Sequence, residues 1–538
     1  MKIKQIFYRI IKKLKKVKTS KYTSEIAIKD GGWETIALGK QRIYSNKLCK
    51  FLNVESNTDL VEVWNNANFE KLWLYNLHYF DDLNAEGAGS RQLIHDYWLK
   101  SWINDNPTGV GNGWEPYPLS LRIVNWIKYG LSFESHNQMH IKSLGIQADY
   151  LANDLEYHLL GNHLFVNAKA LVFAGLYLQH PKSEKWLNLG TKILLKELDE
   201  QIFEEGANFE LTPMYHAIIL TDLLDLKNLS NAYKNRFPLK LAEKISAKIP
   251  KMLRFLYDIS HMDDRISFFN DSAFGIAPEN SSIYDYAKSM GFKLEIDSFV
   301  NKGLIDYEQS GFIIYKTDHI SLICDLNEVG PSYIPGHAHA DTLSFELCIS
   351  KQRFFVNSGT SEYGLSKERL RQRGTAAHNT VAIDKSNSTE IWSGFRVARR
   401  AEIVQRKISE DKKSFFGIHN GYQKQGIDCL HKRNWDVTEN DITITDSLVG
   451  NPVHIEAYFH LHPDIKIENI SKRKLLLTAH GISCLFEAIN AEIEIKNSTW
   501  HPEFGVSINS KCICLNPSAT KFVSKIKWNP EDAYSISH

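Results

Sequence analysis

The chain has 538 residues, of which 43% are hydrophobic, 24% charged and 12% aromatic, with 30 Gly and 15 Pro. This composition is globular and excludes a largely disordered, collagen-like or disulfide-knotted protein, while the length suits roughly two to four domains with sizeable cores. The 64 Lys and Arg stand against 63 Asp and Glu, a net charge of +1, and a near-neutral body excludes general nucleic-acid binding, which needs concentrated positive charge.

The first twenty residues carry seven Lys, one Arg and no acid. Ile3, Ile6, Phe7, Ile10, Ile11, Leu14 and Val17 recur at helical spacing. Residues 1–20 therefore read as a basic amphipathic segment suited to an anionic membrane surface, or as a solvated, frayed terminus. The segment lacks the continuous apolar stretch and small-residue cleavage site of a signal peptide. No run approaches the 18 or so apolar residues that span a bilayer.

From about residue 60 to 300 the apolar period is helical. The segment at 118–130 opens with Pro and closes with Gly, in keeping with helix start and stop chemistry. Residues 162–179 repeat apolar side chains every 3.6 or so positions, and later segments continue the pattern as successive helical hairpins. From about 305 onward, short alternating β-branched segments follow one another with turn residues between them, which predicts an all-β sandwich. Helices first and strands second imply separate domains: residues 21–300 helical and 301–538 strand-rich. The seven cysteines form no CxxC pair and lie mostly in apolar stretches, so they read as buried thiols rather than as disulfides or zinc thiolates.

Function-like residues cluster in five segments. In LEYHLLGNHLFVNAKAL, Gly161 breaks a helix and Asn162 begins the next, either as an N-cap or as an amide donor aimed into a cleft. In NFELTPMYHAIIL, Thr212 or Pro213 starts a helix with Tyr215 in its first turn, as a core-edge tyrosine or a functional one. In PSYIPGHAHADTLSFELCI, extended chain would put His337, His339 and Asp341 on one face. That spacing allows a metal ligand and a proton-transfer group from one segment. Asn357 and Tyr363 lie in a turn after a strand. His378 and Asn379 follow Arg369, Arg371 and Arg373, an arginine run that is either a solvated face or a receiver of anionic substrate. Nucleotide-binding loops, nucleophile elbows and HExxH are absent.

In order along the chain, NLHYFDDL, GNGWEPYPLSLRIVNW, GNHLFVNAKAL, ELTPMYH, GHAHADTLSFEL, FFVNSGTSEY and AAHNTV resemble the heparinase II/III-like family of polysaccharide lyases, which has alginate-lyase relatives. The resemblance covers roughly residues 60 to 460. It implies an incomplete (α/α) toroid followed by an antiparallel β-sandwich, and β-elimination across the C4–O4 bond of a uronic acid in an acidic polysaccharide. Such chemistry needs a donor to the carboxylate, a base for the C5 proton and an acid for the departing oxygen. Matched residue by residue, Asn162 would hold the carboxylate, and Tyr215 and His337 would be the acid/base pair. Tyr215 is the easier acid, since an unperturbed tyrosine titrates near 10; the order of the two roles stays open. Substrate contacts are implied at Trp114, Glu115, His163 and Arg371.

The resemblance also implies a structural zinc in the sandwich and no organic cofactor. The matching positions are His339, Asn357 and His378, where Asn357 replaces the family's aspartate; a neutral amide is the poorer ligand, and Asp341 or a water could compensate. Lyases of this family resemble exported proteins, which implies the cell envelope or periplasm. The absence of a visible signal leaves a cytoplasmic or inner-membrane location as the alternative. Two other functions compete. One is a glycoside hydrolase on the same scaffold, with Asp271 and Glu279 as its carboxylic acids. The other is a non-catalytic glycan-binding protein of surface polysaccharide assembly.

Overall fold

Apolar residues at helical spacing dominate the first half of the chain because each helix must bury a stripe or a whole surface against its neighbours. In the computed structural model, which describes residues 5–9, 24–293 and 303–529, the main helices there are α1 (Lys71–Tyr79), α2 (Gln92–Asp105), α3 (Pro116–Phe133), α4 (Gln138–Asn153), α5 (Gly161–Tyr177), α6 (Ser183–Gln201), α7 (Pro213–Ala232), α8 (Leu239–Ile259) and α9 (Asn280–Ser289). Of the basic segment 1–20, residues 5–9 are helical and the rest lies outside the described residues. Among the described residues no helix is long and apolar enough to cross a membrane.

One boundary differs from the sequence reading. α3 does not stop at Gly130 but runs on to Phe133, where Glu134 takes a left-handed conformation and its N–H bonds the Gly130 carbonyl. Gly130 serves packing instead: a Cβ there would collide with the Tyr177 hydroxyl and the His136 ring. α5 is buried along nearly its whole length. It packs closely on α6, where a side chain at Gly175 or Gly190 would strike backbone. Its Lys169 is buried between Asp222 and Asp225 at 2.6 and 2.7 Å. Lys128 of α3 and the Tyr286 hydroxyl of α9 complete the cluster on Asp225. A buried ammonium of this kind is tolerable only because it is paired and hydrogen-bonded.

The second half is antiparallel sheet. A meander of five strands runs β1 (Gly303–Asp306), β2 (Phe312–Lys316), β3 (Ile320–Asp325), β4 (Phe345–Ile349) and β5 (Gln352–Phe355). After helix α10 (Lys367–Arg373) come β6 (Val381–Ile383) and a small hairpin, β7 (Glu390–Trp392) with β8 (Arg396–Ala398). The rest is β9 (Ile403–Ile408), β10 (Ser414–His419), β11 (Cys429–Val437), β12 (Asp441–Gly450), β13 (Ile455–His460), β14 (Lys466–Ser471), β15 (Lys474–Ala479), β16 (Ile482–Ile489), β17 (Ala491–Trp500), β18 (Ile508–Pro517) and β19 (Lys521–Trp528). Eight of these form a sheet in the order β9-β10-β11-β12-β19-β16-β15-β14, and four form another in the order β6-β13-β18-β17. β11 and β12 alternate buried and half-exposed residues, as a strand with one face on a core must.

β3 and β4 are buried on both faces. One face joins the main sandwich core through Leu322, Phe345 and Leu347. The other, through Ile323 beside Ile314 of β2, packs on Ala207, Leu211, Phe255, Ile259 and Phe269. The compact units of the chain therefore cut across a boundary at residue 300. Residues 1–202, 218–251 and 281–294 form one unit; residues 203–217, 252–280 and 295–538 form the other. All seven cysteines are free and buried.

Candidate active site

Tyr215 enters the site from the first turn of α7. Thr212 caps that turn, its Oγ1 accepting the Tyr215 N–H at 2.9 Å, and Pro213 takes the first helical position. The sequence pattern places Tyr215 in the helical region, 21–300; in the structure it belongs to the strand-rich unit. There its ring lies 4.2 Å from the His337 ring, centroid to centroid, and its hydroxyl is 3.3 Å from that of Tyr363. It is 9% exposed, so its polar tip sits at the edge of the core rather than in bulk water.

His337 is held from beneath. Its Nδ1 lies 2.8 Å from Asp271 Oδ2, and its Nε2 is 3.7 Å from Glu210. Asp271 is fully buried and also accepts from His339 Nε2, at 2.9 Å, and from both terminal nitrogens of Arg369. Burial alone would raise its pKa. The Arg369 guanidinium and the two histidine hydrogen bonds outweigh burial and hold the carboxyl well below the usual range. An ionised Asp271 takes the Nδ1 proton of His337 as its hydrogen bond, which leaves Nε2 as the working nitrogen.

This geometry corrects the hydrolase reading. Asp271 is buried and spoken for by three side chains, so it is not an acid free to flank a glycosidic bond. Glu279 is exposed and faces Arg265 at 3.5 Å. Glu210 was missed; its only signal was a glutamate five residues ahead of Tyr215 at a helix start.

The metal-type residues converge. His339 Nδ1 lies 3.3 Å from His378 Nε2, and both rings are buried. Two nitrogens each about 2.0–2.1 Å from a tetrahedral ion sit roughly 3.3–3.4 Å apart. Asp341 could join them, since ligand atoms of His339, Asp341 and His378 all lie within 4.8 Å of one another. Asn357 is buried nearby, but its Oδ1 accepts the Asn379 N–H at 3.3 Å and its own N–H is bound to Glu346. Its amide nitrogen has no hydrogen-bond partner among the described residues. Burial lowers His339 to about 4 and His378 well below its ordinary value, and raises Asp341 to about 6. Two neutral imidazoles beside an uncompensated carboxyl fit a divalent cation.

Asn162, His163, Glu115 and Trp114 belong to the helix-rich unit, and Arg371 to the strand-rich one. Asn162 is buried in the first turn of α5, but the N-cap position is Leu160, so the capping alternative falls. His163, half-exposed, pairs with Glu156 at 3.1 Å and packs at a tilt against Tyr117, ring centres 4.6 Å apart. Glu115 caps α3 and is engaged by Lys71 and the Tyr75 hydroxyl. Trp114 is a core residue, 4% exposed and packed on Trp102 and Tyr150, so it is not a surface for sugar. Arg371 is committed as well. It grips Glu368 through two hydrogen bonds and donates to Thr499 and His501, which leaves it a clip rather than an anion receiver.

Family models match along nearly the whole chain: the heparinase II/III N-terminus over residues 8–290 and the heparinase II/III-like C-terminal region over residues 300–529. The chain belongs to the heparinase II/III family. A heparin-sulfate lyase of Bacteroides stercoris is 24% identical over 299 residues, 49% of this chain and 43% of that protein. The chain spans about half the length of the curated heparin-sulfate lyases it matches. A Caulobacter vibrioides protein named FtsZ-localized protein C is 22% identical over 509 residues, 86% of this chain and 82% of that one. The crystal structure of heparinase III superposes with a TM-score of 0.69 at 19% identity, covering 86% of this chain and 79% of that chain. The fold is thus that of heparinase III, helical toroid and then β-sandwich, as the family resemblance implies; the change of period near residue 300 accounts for the helical and strand-rich halves.

Proposed function

We propose that this protein is a polysaccharide lyase that cleaves an acidic, uronic-acid-containing glycan by β-elimination. The observation that carries the reading is the Tyr215–His337 pair: a phenol and an imidazole 4.2 Å apart, the imidazole oriented by a buried aspartate. His337 Nε2 takes the C5 proton, and the electrons of that C–H bond form the C4–C5 double bond. The C4–O4 bond breaks, and the Tyr215 hydroxyl gives its proton to the departing oxygen. A tyrosine with an ordinary pKa near 10 holds its proton at neutral pH, which suits a donor. Asn162 keeps the role the resemblance implies for it, partner to the uronate carboxylate. The heparin-sulfate lyases among the relatives support the reaction class and point to a glycosaminoglycan as the first substrate to try.

The reading includes a zinc ion held by His339, Asp341 and His378. Zinc there would brace the turn that carries His337, two residues from a ligand; it takes no part in the proton transfers above.

The test is the unsaturated uronate, which absorbs in the near ultraviolet, measured on heparan sulfate, chondroitin sulfate, hyaluronan and alginate. Tyr215→Phe keeps the ring and removes only the hydroxyl. Turnover is expected to fall about 10²–10⁴-fold with the melting temperature almost unmoved. A Tyr215→Phe enzyme that keeps most of its rate would remove the acid/base assignment. Binding without turnover by wild-type protein would favour the non-catalytic alternative.

A further inference from the structure

Large apolar side chains on a surface call for an explanation when they sit beside a reactive group. Phe395 is 41% exposed and Trp392 51% exposed, and both belong to the β7–β8 hairpin. Phe395 stands edge-on to the His337 ring at 6.1 Å and to the Tyr363 ring at 5.1 Å. Tyr363 in turn touches the Tyr215 hydroxyl. The exposed aromatic is therefore the rim of the candidate acid/base pair, and it lies within the same compact unit.

The hairpin tip is fixed by polar bonds, not by the aromatic. Arg369 Nε donates to the Gly394 carbonyl at 3.1 Å, and Arg373 Nη1 donates to the Ser393 carbonyl at 2.9 Å. Gly394 lies so close to the Gly364 carbonyl that a Cβ there would collide with it. Arg369 is the same guanidinium that grips Asp271, the carboxylate beneath His337. One arginine thus sets the height of the hairpin and of the imidazole together. Its guanidinium carbon is 5.4 Å from the Phe395 ring centre and 5.0 Å from that of Tyr363. The backbone of the tip is held by these polar contacts, while Phe395 packs on His337 and Tyr363 and still leaves 41% of its surface in solvent.

We propose that Phe395 is a sugar-stacking platform: its free face takes the apolar C–H face of a pyranose ring of the glycan, adjoining the uronate attacked at His337. The inference rests on the lyase reading and names a subsite of it. Arg396 follows in the chain and is exposed, which matches an acidic polymer in charge. Trp392, on the neighbouring strand, would extend the platform along the same hairpin. An aromatic face gives apolar contact and a matching quadrupole to C–H groups without fixing the sulfation or identity of the sugar.

The experiment compares wild-type protein with Phe395→Ala, Phe395→Leu and Phe395→Trp on whichever of the four glycans the wild type cleaves fastest. Phe395→Ala and Phe395→Leu are expected to raise KM about tenfold with kcat within about threefold, and Phe395→Trp to restore KM, since leucine supplies apolar area but no ring face. Melting temperatures should agree within about two degrees, because surface changes usually cost little stability. An active wild type whose KM is untouched by Phe395→Ala overturns the platform and leaves the lyase reading standing. If no glycan yields an unsaturated product, calorimetric titration with hexasaccharides of the same four glycans separates the two. Binding that weakens with Phe395→Ala keeps the platform while the lyase reading falls, and equal or absent binding ends both.

Discussion

His339 and His378 face each other across 3.3 Å in the strand-rich unit, and His419 and His431 do the same across 3.2 Å. Both pairs are buried, and each abuts an aspartate and an arginine. They differ in how their hydrogen bonds end. In the second pair the Gly421 N–H donates to His419 Nδ1, His419 Nε2 meets His431 Nδ1, and His431 Nε2 meets Asp446, whose oxygens Arg433 grips at 2.8 and 3.0 Å. Every donor has an acceptor, and the carboxylate has its cation. In the first pair Asp271 and Arg369 satisfy one side of His339, yet a second carboxyl close by, Asp341, accepts only the Asn270 N–H and has no cation partner among the described residues. The same residue types make a closed structural relay in one place and a set of inward-facing ligand atoms in the other. What separates them is the uncompensated carboxyl, not the histidine pair.

The largest effect that would sharpen this contrast is the loss of Asp446. Asp446→Ala strands Arg433 in the core without a counter-charge, which should cost about 3–5 kcal/mol. Asp341→Ala strands no guanidinium, so in chelator-treated protein it should cost far less. Denaturant titration of both variants checks this; equal losses would break the distinction. Next in size is the metal. On the zinc reading, protein held at about a hundred times the dissociation constant gains about 2.7 kcal/mol from the ion. His378→Ala and Asp341→Asn should lose that increment and their zinc by elemental analysis, whereas His419→Gln should keep both.

Acid should reach the closed relay through its histidines. Burial, and then the neighbouring charges of His431 and Arg433, hold His419 well below its ordinary pKa. Tyr422 packs on the same ring, and Asp446 lies beyond His431. An unfolded histidine takes up a proton near pH 6.5, before the buried His419 does. Its contribution is therefore intact above that pH and is progressively lost as pH falls below it. Melting temperature against pH should flatten in His419→Gln. An unchanged slope would mean that this ring is not the one that titrates.

The halves of the molecule were legible because helix and strand impose different periods on the same apolar residues. Tyr215 and His337 were legible because a helix start and an HxH turn are local patterns. The supporting groups were not. Asp271 looked like a catalytic acid in FFNDSAFG until Arg369, His337 and His339 were seen to fill its oxygens, partners 66 to 98 residues away. Arg371 looked like an anion receiver because the partners that occupy it, Thr499 and His501, lie some 130 residues on. Phe395 carried no signal at all: a phenylalanine after Gly in a tight turn gives no hint that its ring flanks His337. Periodicity reports what a residue's own element does, and these roles are set by what other elements bring to it.

The smallest expected effect concerns Asn357, where the family resemblance implies an aspartate. Its Oδ1 accepts the Asn379 N–H, and its amide nitrogen has no partner among the described residues. Asn357→Asp is nearly isosteric, keeps the acceptor for the N–H of Asn379, the residue after His378, and replaces the idle amide with an anionic oxygen. Zinc prefers such an oxygen to a neutral amide. If residue 357 touches the ion, affinity should rise about tenfold, or about 1.4 kcal/mol, seen in competition with a chromogenic chelator. Without metal the same change adds a further buried carboxyl to a region that already holds Asp271, Asp325 and Asp341, the last raised by burial to about 6, so chelator-treated Asn357→Asp should be less stable than wild type. The two signs together are the test. A variant destabilised without metal and no better at holding it would leave Asp341 as the anionic ligand and Asn357 as packing.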